Sequence, residues 1–389
     1  MDRLRIALTC NVSPWSAYSG GGQQATHHLA EALVRAGHDV HVVYTAAPWE
    51  RVRPDQPPRY WVHWATFFGW RAQRRSPLRP LNAVSVALTL RALHEEAPLD
   101  VVHANGEEGA LLPLLPFRDR VRFVVTPRYP HYPNALMELR PLRRGLLHAW
   151  LWLAHTEYAL FGRALRAADV VCATSRSGGR LVQRVFDVAD ERLRVIPNGV
   201  ADDFLETRWT PPPSGAPLLF FGKLEDDKGV DTLLEALARL ERPGLRAVVV
   251  GRGGAERRLR EVARYHHLAD RVRFVPWAAP RDLALRIAGA RAVVLPSRFD
   301  VAGNTVAEAM AVGAPVVTTR TGSLPELVEP DRTGLLVPPD DPVALRDAIA
   351  ALLDDPALAA RLGAAARERV RDRSWDAVAA RHEELYRAA

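Results

Sequence analysis

Short apolar runs and longer stretches with helical apolar spacing alternate from the first residues onward. Arg5-Ile6-Ala7-Leu8-Thr9 reads as a strand, and a polar glycine loop follows it. Ala25 to Ala36 then carries Leu29, Ala32 and Leu33 at helical spacing, closed by Gly37 as a C-cap. Further strands are predicted at Val40 to Tyr44, Asp100 to His103, Arg122 to Thr126 and Asp169 to Thr174, with helical stretches near 80 to 97 and 135 to 167. After residue 217 the alternation restarts. Strands are predicted at Leu218 to Phe221, Arg246 to Val250, Arg271 to Val275, Ala292 to Leu295 and Pro315 to Thr318. Helices are predicted near 230 to 241, 255 to 267, 281 to 289, 304 to 312 and 342 to 353. Such alternation implies parallel sheets, since each helix carries the chain back to start the next strand in the same direction.

The segment from Pro197 to Pro217 holds Asn198-Gly199 and Pro211-Pro212-Pro213 without periodicity, which marks it as an interdomain linker. The reading is therefore α/β: a Rossmann-like domain over 1–197, a second over 198–372, and a tail at 373–389 whose helix around Trp375 to Tyr386 packs back across the first domain. Two doubly wound domains facing across a cleft would bind ligands outside the carboxyl ends of their strands. A length of 389 residues suits two domains, and 48% hydrophobic with 25% charged residues is ordinary for a globular chain. Cys10 and Cys172 are too few for a disulfide framework. No apolar run approaches the roughly 18 residues that span a bilayer, and no signal peptide precedes the first strand, so the expectation is a cytoplasmic protein.

Charge is unevenly placed. Residues 1–200 hold 25 Arg against 17 Asp and Glu, a net +8, which leaves −1 for 201–389 out of the total of +7. The densest stretch, 51–79, has Arg51, Arg53, Arg59, Arg71, Arg74, Arg75 and Arg79 against Asp55 alone, interleaved with tyrosine, tryptophan and phenylalanine. Such a patch attracts anions, lipid headgroups included. Of the 52 basic residues only Lys223 and Lys228 are lysines, five positions apart. An ammonium is a compact point charge that arginine does not replace against phosphate.

Three constellations carry candidate chemistry. Gly20-Gly21-Gly22 stands between the first strand and the first helix, where backbone N–H groups approach a phosphate at the positive helix end; a flexible turn is the bland alternative. It is not the GxGxxG fingerprint, and no acidic ribose binder follows the second strand, which argues against a nicotinamide-dependent oxidoreductase. Gly222-Lys223-Leu224-Glu225-Asp226-Asp227-Lys228-Gly229 puts two ammonium groups at a strand's carboxyl end, suited to a diphosphate leaving group, unless Lys228 merely pairs with Asp226 or Asp227. Pro296 through Ala311 places Asp300 on a loop, small residues at a helix start, and Glu308 one turn inside, flanked by Ala307, Ala309 and Met310. Asp300 as a helix cap and Glu308 on a solvated face are the plain alternatives. Nucleic-acid binding suits only the charge, and only in one half of the chain.

Gly20-Gly21, Ile196-Pro197-Asn198-Gly199-Val200, Gly222-Lys223 with Lys228-Gly229, Gly251-Arg252-Gly253, and Pro296-Ser297 through Glu308-Ala309-Met310 resemble the retaining glycosyltransferases of family GT4, glycosyltransferase group 1. The resemblance covers nearly the whole chain and is looser over 45–100 and 128–165. It implies the GT-B fold, a nucleoside-diphosphate sugar (UDP- or GDP-linked) as substrate, and neither cofactor nor catalytic metal. Glu308 matches the second glutamate of the E-x7-E motif, implying a ribose contact, and Asp300 stands where the first faces the transferred sugar. Lys228 matches the diphosphate lysine, and Lys223 a position usually held by arginine. Gly21, with Gly20, matches the glycine loop at the diphosphate; Gly303, Asn304 and Thr305 approach it from the other side, and the Gly251 to Gly253 loop lies near base or ribose.

Three further departures are visible, at Asn105, at Arg128 and at Pro276, the last standing where a glycine is usual near Phe274-Val275. Asn105 replaces the second histidine of the family's His-x-His stretch, His103 is kept at the first, more structural position, and Arg128 stands where a later histidine is usual; His103 and Arg128 are candidate contacts to the acceptor or the donor sugar. Asn105 hydrogen-bonds but does not titrate, and Arg128 suits an acidic sugar, acceptor or phosphate. The expected reaction is retaining transfer of a hexose to a hydroxyl of a glycan, glycolipid or small molecule, with Lys223, Lys228, Asp300 and Asn105 carrying it. A degenerate GT-B scaffold that only binds nucleotide or sugar is the alternative. Arg- and Trp-bearing 51–79, with Trp150 and Trp152, would either dock the protein peripherally on an anionic membrane or cover an acceptor cleft.

Overall fold

The computed structural model describes residues 2–16, 19–52, 56–68, 80–128 and 156–388. The chain divides into two units, Met1–Asn198 with Trp375–Ala389, and Gly199–Ser374.

In the first unit β1 (Arg5–Asn11), β2 (Asp39–Ala46), β3 (Trp61–Thr66), β4 (Val101–Ala104), β5 (Arg122–Val125), β6 (Val170–Ala173) and β7 (Leu193–Val195) form a parallel sheet in the order β3-β2-β1-β4-β5-β6-β7. Its central strands read as unbroken apolar runs because helices cover both faces, so Ile6, Ala7 and Leu8 are all buried. The flanking helices include α1 (Gly21–Arg35), α2 (Pro80–Glu96), α3 (Thr156–Ala167) and α4 (Arg176–Phe186). On α1 the buried positions Ala25, Leu29, Ala32 and Leu33 trace one helical stripe. Only the end of the helical stretch expected near 135–167 falls within the described residues, and Trp150 and Trp152 lie outside them.

The second unit opens with α5 (Asp202–Glu206), so much of the stretch read as a linker is structured and packs on this unit: Phe204 is buried, and Trp209 Nε1 donates to the Ala290 carbonyl at 2.7 Å. Then follow β8 (Leu218–Phe221), α6 (Val230–Arg239), β9 (Ala247–Val250), α7 (Glu256–Tyr265), β10 (Val272–Val275), α8 (Pro280–Ala288) and β11 (Ala292–Leu295). The unit closes with α9 (Asn304–Val312), β12 (Val316–Thr319), α10 (Leu324–Leu327), β13 (Leu335–Val337), α11 (Pro342–Asp354) and α12 (Pro356–Val370). The strands pair in the order β10-β9-β8-β11-β12-β13, again parallel. Two Asp-Pro steps start consecutive helices. Asp341 accepts from the Val343 and Ala344 amides and Asp355 from Leu358, while Pro342 and Pro356 take the first helical position, where no N–H is needed.

The last helix, α13 (Trp375–Arg387), belongs to the first unit although it follows the second. Trp375, Val378, Ala379, Leu385 and Tyr386 share a core with Ile6, Leu8, Leu29 and Leu33, and Trp375 stacks on His28 with centroids 5.6 Å apart. Both sheets reverse their winding at one point, between β1 and β4 and between β8 and β11. A crevice opens at the carboxyl ends of the strands where the winding reverses, because the connections on either side leave in opposite directions.

Candidate functional site

In the second unit the two loops at the reversal point hold each other. The loop after β8 turns through Asp226–Lys228 into Gly229, whose φ of 63° favours glycine and where an added Cβ would stand 2.1 Å from the Pro296 carbonyl oxygen. From the loop after β11, the Arg298 amide donates to the Asp227 carbonyl at 2.7 Å. The Arg298 guanidinium bridges the Asp226 carbonyl (2.5 Å), Asp231 (2.9 Å) and Asp340 (2.5 Å).

This clamp sets Lys228 Nζ 3.1 Å from Asp300 Oδ2 and 3.4 Å from Asp227 Oδ2. The other Asp300 oxygen accepts from the Ala302 and Gly303 amides at 3.1 and 2.6 Å. Burial pulls the Lys228 pKa down, but the Asp300 and Asp227 carboxylates more than offset it, so the ammonium is held above its ordinary value. Burial pushes Asp300 up, and Lys228 with the two amides brings it below the usual carboxylate range. Both groups are therefore charged at neutral pH.

Glycine 303 begins α9 with φ 64°, and the Thr305 and Val306 amides, in the first turn, point out of the helix without an intrahelical acceptor. Glu308 lies one turn further along. It is half-buried, and burial alone pushes its pKa up to about 8. Among the described residues no donor reaches its carboxylate. Lys223 is exposed along its side chain, yet desolvation by the surrounding loop lowers its pKa, opposed by Glu225 and assisted by Lys228. Gly251 has φ 153°, and a Cβ there would stand 1.9 Å from the Gly222 carbonyl oxygen. The close approach of two loops accounts for this glycine, and Gly253 packs as tightly on Leu224.

In the first unit the loop after β1 leads to Gly20, whose amide donates to Gln23 Oε1 at 3.0 Å while Gln23 Nε2 donates to the Asn11 carbonyl at 2.9 Å. Gly21 opens α1 and is exposed. Beyond β4 the Asn105 side chain donates to the Thr9 carbonyl at 2.8 Å and accepts from Arg128 Nε at 2.6 Å, and Arg128 Nη1 donates to Asn198 Oδ1 at 3.1 Å. Glu108 ties the same loops from below. It is buried and accepts from the Asn105 amide (3.1 Å), Thr9 Oγ1 (3.2 Å) and Asn11 Nδ2 (3.3 Å).

His103 is corrected from a sugar or acceptor contact to a core residue. It is fully buried, with Nδ1 bonded to the Tyr386 hydroxyl and Nε2 to Thr126 Oγ1, both at 2.7 Å. Burial, His382 and Arg128 hold its pKa well below 6.5. The remaining residues singled out in the sequence fall into two groups, each at the carboxyl ends of one sheet. Gly20, Gly21, Asn105 and Arg128 stand in the first unit; Lys223, Lys228, Gly251, Gly253, Asp300, Gly303, Asn304, Thr305 and Glu308 stand in the second. Arg298, Gln23 and Glu108 were not legible as site-building residues; the acidic pair at Glu107-Glu108, next to Asn105-Gly106, was the available signal for the last. Among the described residues no group of three or more His, Cys, Asp or Glu is spaced to hold a metal ion.

Two doubly wound units, each with a polar, glycine-containing loop pair at its winding reversal, define a GT-B-type α/β protein. The family described as glycosyl transferases group 1 matches residues 207–369, and glycosyltransferase family 4 matches 19–204. Over 401 residues the chain is 30% identical to a glycogen synthase of Mycobacterium tuberculosis, covering 95% of this chain and 91% of that one. The chain belongs to the group 1, family 4 glycosyltransferases. Among solved structures, the sucrose-phosphate synthase of Thermosynechococcus elongatus superposes with a TM-score of 0.82 at 26% identity, over 99% of this chain and 98% of that one. The Anabaena protein HepE in complex with UDP-glucose gives 0.75 at 20% identity, over 98% and 99%, a likeness of fold.

Proposed function

We propose that this glycosyltransferase moves a hexose with retention from a UDP- or GDP-linked sugar to an acceptor hydroxyl, without a catalytic metal. The observation that carries the reading is the convergence at one winding reversal of the charged Lys228, the first-turn amides of α9 and the donor-free carboxyl of Glu308. Lys228, with Lys223 beside it, draws off the negative charge that grows on the leaving diphosphate, and the α9 amides donate to its oxygens. Glu308 accepts from ribose hydroxyls, which supply the hydrogen bonds its carboxylate lacks. The acceptor oxygen bonds to the anomeric carbon as the bond from that carbon to the diphosphate oxygen breaks on the same face, and the hydroxyl proton passes to the departing phosphate. Asp300 keeps the ammonium and the start of α9 in place beside the sugar, and Arg128, held by Asn105, offers a cation to an acidic or phosphorylated acceptor. That HepE binds UDP-glucose, and that the relatives are named for glucan and sucrose-phosphate synthesis, favours a UDP-sugar and a carbohydrate acceptor. Presence of both lysines and Glu308 disfavours a purely scaffolding role.

Calorimetric titration with UDP, GDP, ADP and their glucose conjugates, in metal-chelating buffer beside Lys228→Ala, tests this. Binding of one nucleotide by the wild type and at least tenfold weaker binding by the variant supports the reading; equal binding by both sinks it. The anomeric configuration of the product, read by proton NMR, decides retention.

Among the described residues no helix is long and apolar enough to cross a membrane. Trp49 and Trp61 are 82% and 65% exposed near Arg51 and Arg59, which favours peripheral docking on an anionic bilayer of the cytoplasmic face for this aromatic stretch. Co-sedimentation with anionic vesicles that is unchanged by Trp49→Ser plus Trp61→Ser would exclude it.

A further inference from the structure

We infer that a second anion site, distinct from the transfer site, lies at the amino end of β5 and takes the phosphate of a small polyhydroxylated phosphate ester. A shallow, open cavity of about 560 Å³ lies there, lined by Arg118, Asp119, Arg120, Arg122, Asp169 and Ala388 among others. Alternating positions deliver the three arginines: a single turn at Arg118–Arg120 carries two, and Arg122 opens the strand.

Their commitments differ. Arg118 is fully employed, donating to Asp169 Oδ1 at 2.7 Å, the Ala167 carbonyl at 2.9 Å and the Val121 carbonyl at 3.3 Å, and its charge is matched by Asp169. The second Asp169 oxygen is taken by the Phe123 amide at 2.7 Å. Arg120 is exposed and makes no ion pair among the described residues. Arg122 is half-buried, and its Nε is buried with no acceptor among them. A buried guanidinium N–H without a partner is rare in a native fold, and the same guanidinium belongs to a residue that lines the cavity without an ion pair among the described residues. Two uncommitted guanidiniums against one exposed carboxylate, Asp119, leave the cavity with surplus positive charge.

The chemistry narrows the occupant. Planar guanidinium forks match phosphate oxygens in pairs. The volume is that of a small-molecule site, larger than a bare phosphate needs. The exposed Asp119 carboxylate in the lining disfavours a second anionic group but accepts from hydroxyls. A sugar-phosphate-like ester satisfies all three conditions. The site is separate from the transfer site, because Arg122 starts β5 while Arg128 follows its other end, up to about 20 Å along an extended chain. Ala388, just past α13, also lines it, so an occupant ties the last helix to the sheet.

The test uses the full chain as wild type, as Arg120→Gln/Arg122→Gln, as Arg120→Gln alone, and as Lys228→Ala, which disables the proposed transfer site. Each is titrated calorimetrically with a hexose 6-phosphate, free hexose and inorganic phosphate at constant ionic strength, and pelleted with vesicles containing phosphatidylinositol phosphate. The expected result is equal binding of the hexose phosphate by wild type and Lys228→Ala, at least tenfold weaker binding by the double variant, at least threefold weaker by the exposed single variant, and none of free hexose. Binding that survives in both arginine variants, or that is lost in Lys228→Ala, overturns the assignment. So does capture by vesicles without binding of the soluble ester, which would make the headgroup of a lipid the ligand. Failure of this site leaves nucleotide binding by the second unit untouched, and the reverse holds equally.

Discussion

Arg128 Nε donates to Asn105 Oδ1 at 2.6 Å, so the two positions where this chain departs from its family's usual histidines are partners of each other. Asn105 is buried and bonded at both ends of its amide, and Asn105→Ala therefore strands a guanidinium N–H and the Thr9 carbonyl together. The expected cost is about 1–3 kcal/mol. It is read as a lower urea midpoint at unchanged m-value, and a double-mutant cycle with Arg128→Ala should show coupling of at least about 0.5 kcal/mol.

Lys228→Ala removes the ammonium from a 3.1 Å pair with Asp300. Turnover should fall by about two to three orders of magnitude, as expected when one charge-stabilising donor is lost. Stability should fall as well, by no more than about 3–5 kcal/mol, because the carboxylate is left uncompensated. Adding Asp300→Asn should recover part of the stability and none of the turnover; recovery of both would show that the lysine acts only through the fold.

Glu308 links the site to pH. Its pKa is raised from 4.5 to about 8 in the folded state, so below pH 4.5 both states are protonated and nothing is lost. Between 4.5 and 8 the unfolded chain releases the proton first, and stability falls as pH rises. Glu308→Gln should flatten that slope in melts taken from pH 5 to 8. A ligand whose hydroxyls donate to the ionised form should expel the proton, so nucleotide-sugar binding at pH 7 should show buffer-dependent calorimetric heats that vanish in the glutamine variant.

The opposite sign applies under α13. Burial, offset in part by the Val378 carbonyl and assisted by Arg128, lowers His382 from 6.5 to about 4, and His103 stacks on it with centroids 5.5 Å apart. Both are neutral when folded at neutral pH, and the contribution of His382 is intact above pH 6.5 and is lost as pH falls through about 4; His103, also held well below 6.5, acts in the same direction. Tryptophan emission should report release of Trp375 from His28 over that range, and His382→Gln should shift the transition to lower pH.

How far the sequence spoke depended on the range of the interaction. Strands such as β1 and β8 were legible because burial on both faces leaves an uninterrupted apolar run. β3 is not legible, because an edge strand with exposed Trp61 and half-exposed His63 shows no clean period and its arginine-rich surroundings read as a patch. α4 is not legible because Gly178 and Gly179 sit inside it, each costing about 1 kcal/mol of helix propensity; Ser175 nevertheless caps it, accepting from the Gly178 amide at 2.9 Å. β7 and β13, with three residues each, are too short to show a pattern. In the site, Lys228 and Glu308 were legible from local motifs. The Lys228–Asp300 pair spans 72 positions and the Asn105–Arg128 bond 23, and no periodicity encodes such meetings.

That α13 completes the first unit after the second has been made has a consequence for synthesis. The 176 residues of Gly199–Ser374 separate Met1–Asn198, which holds α1, from the helix that covers it. At about 5–20 residues per second the ribosome needs roughly 10–35 s to cross that interval. Throughout it the second unit, contiguous in the chain, is free to fold, while the apolar stripe of Leu29 and Leu33 on the nascent first unit waits uncovered for Trp375, Val378 and Leu385. The order of assembly is thus reversed relative to the order of translation, and the part made first is the part that depends longest on being kept from aggregating.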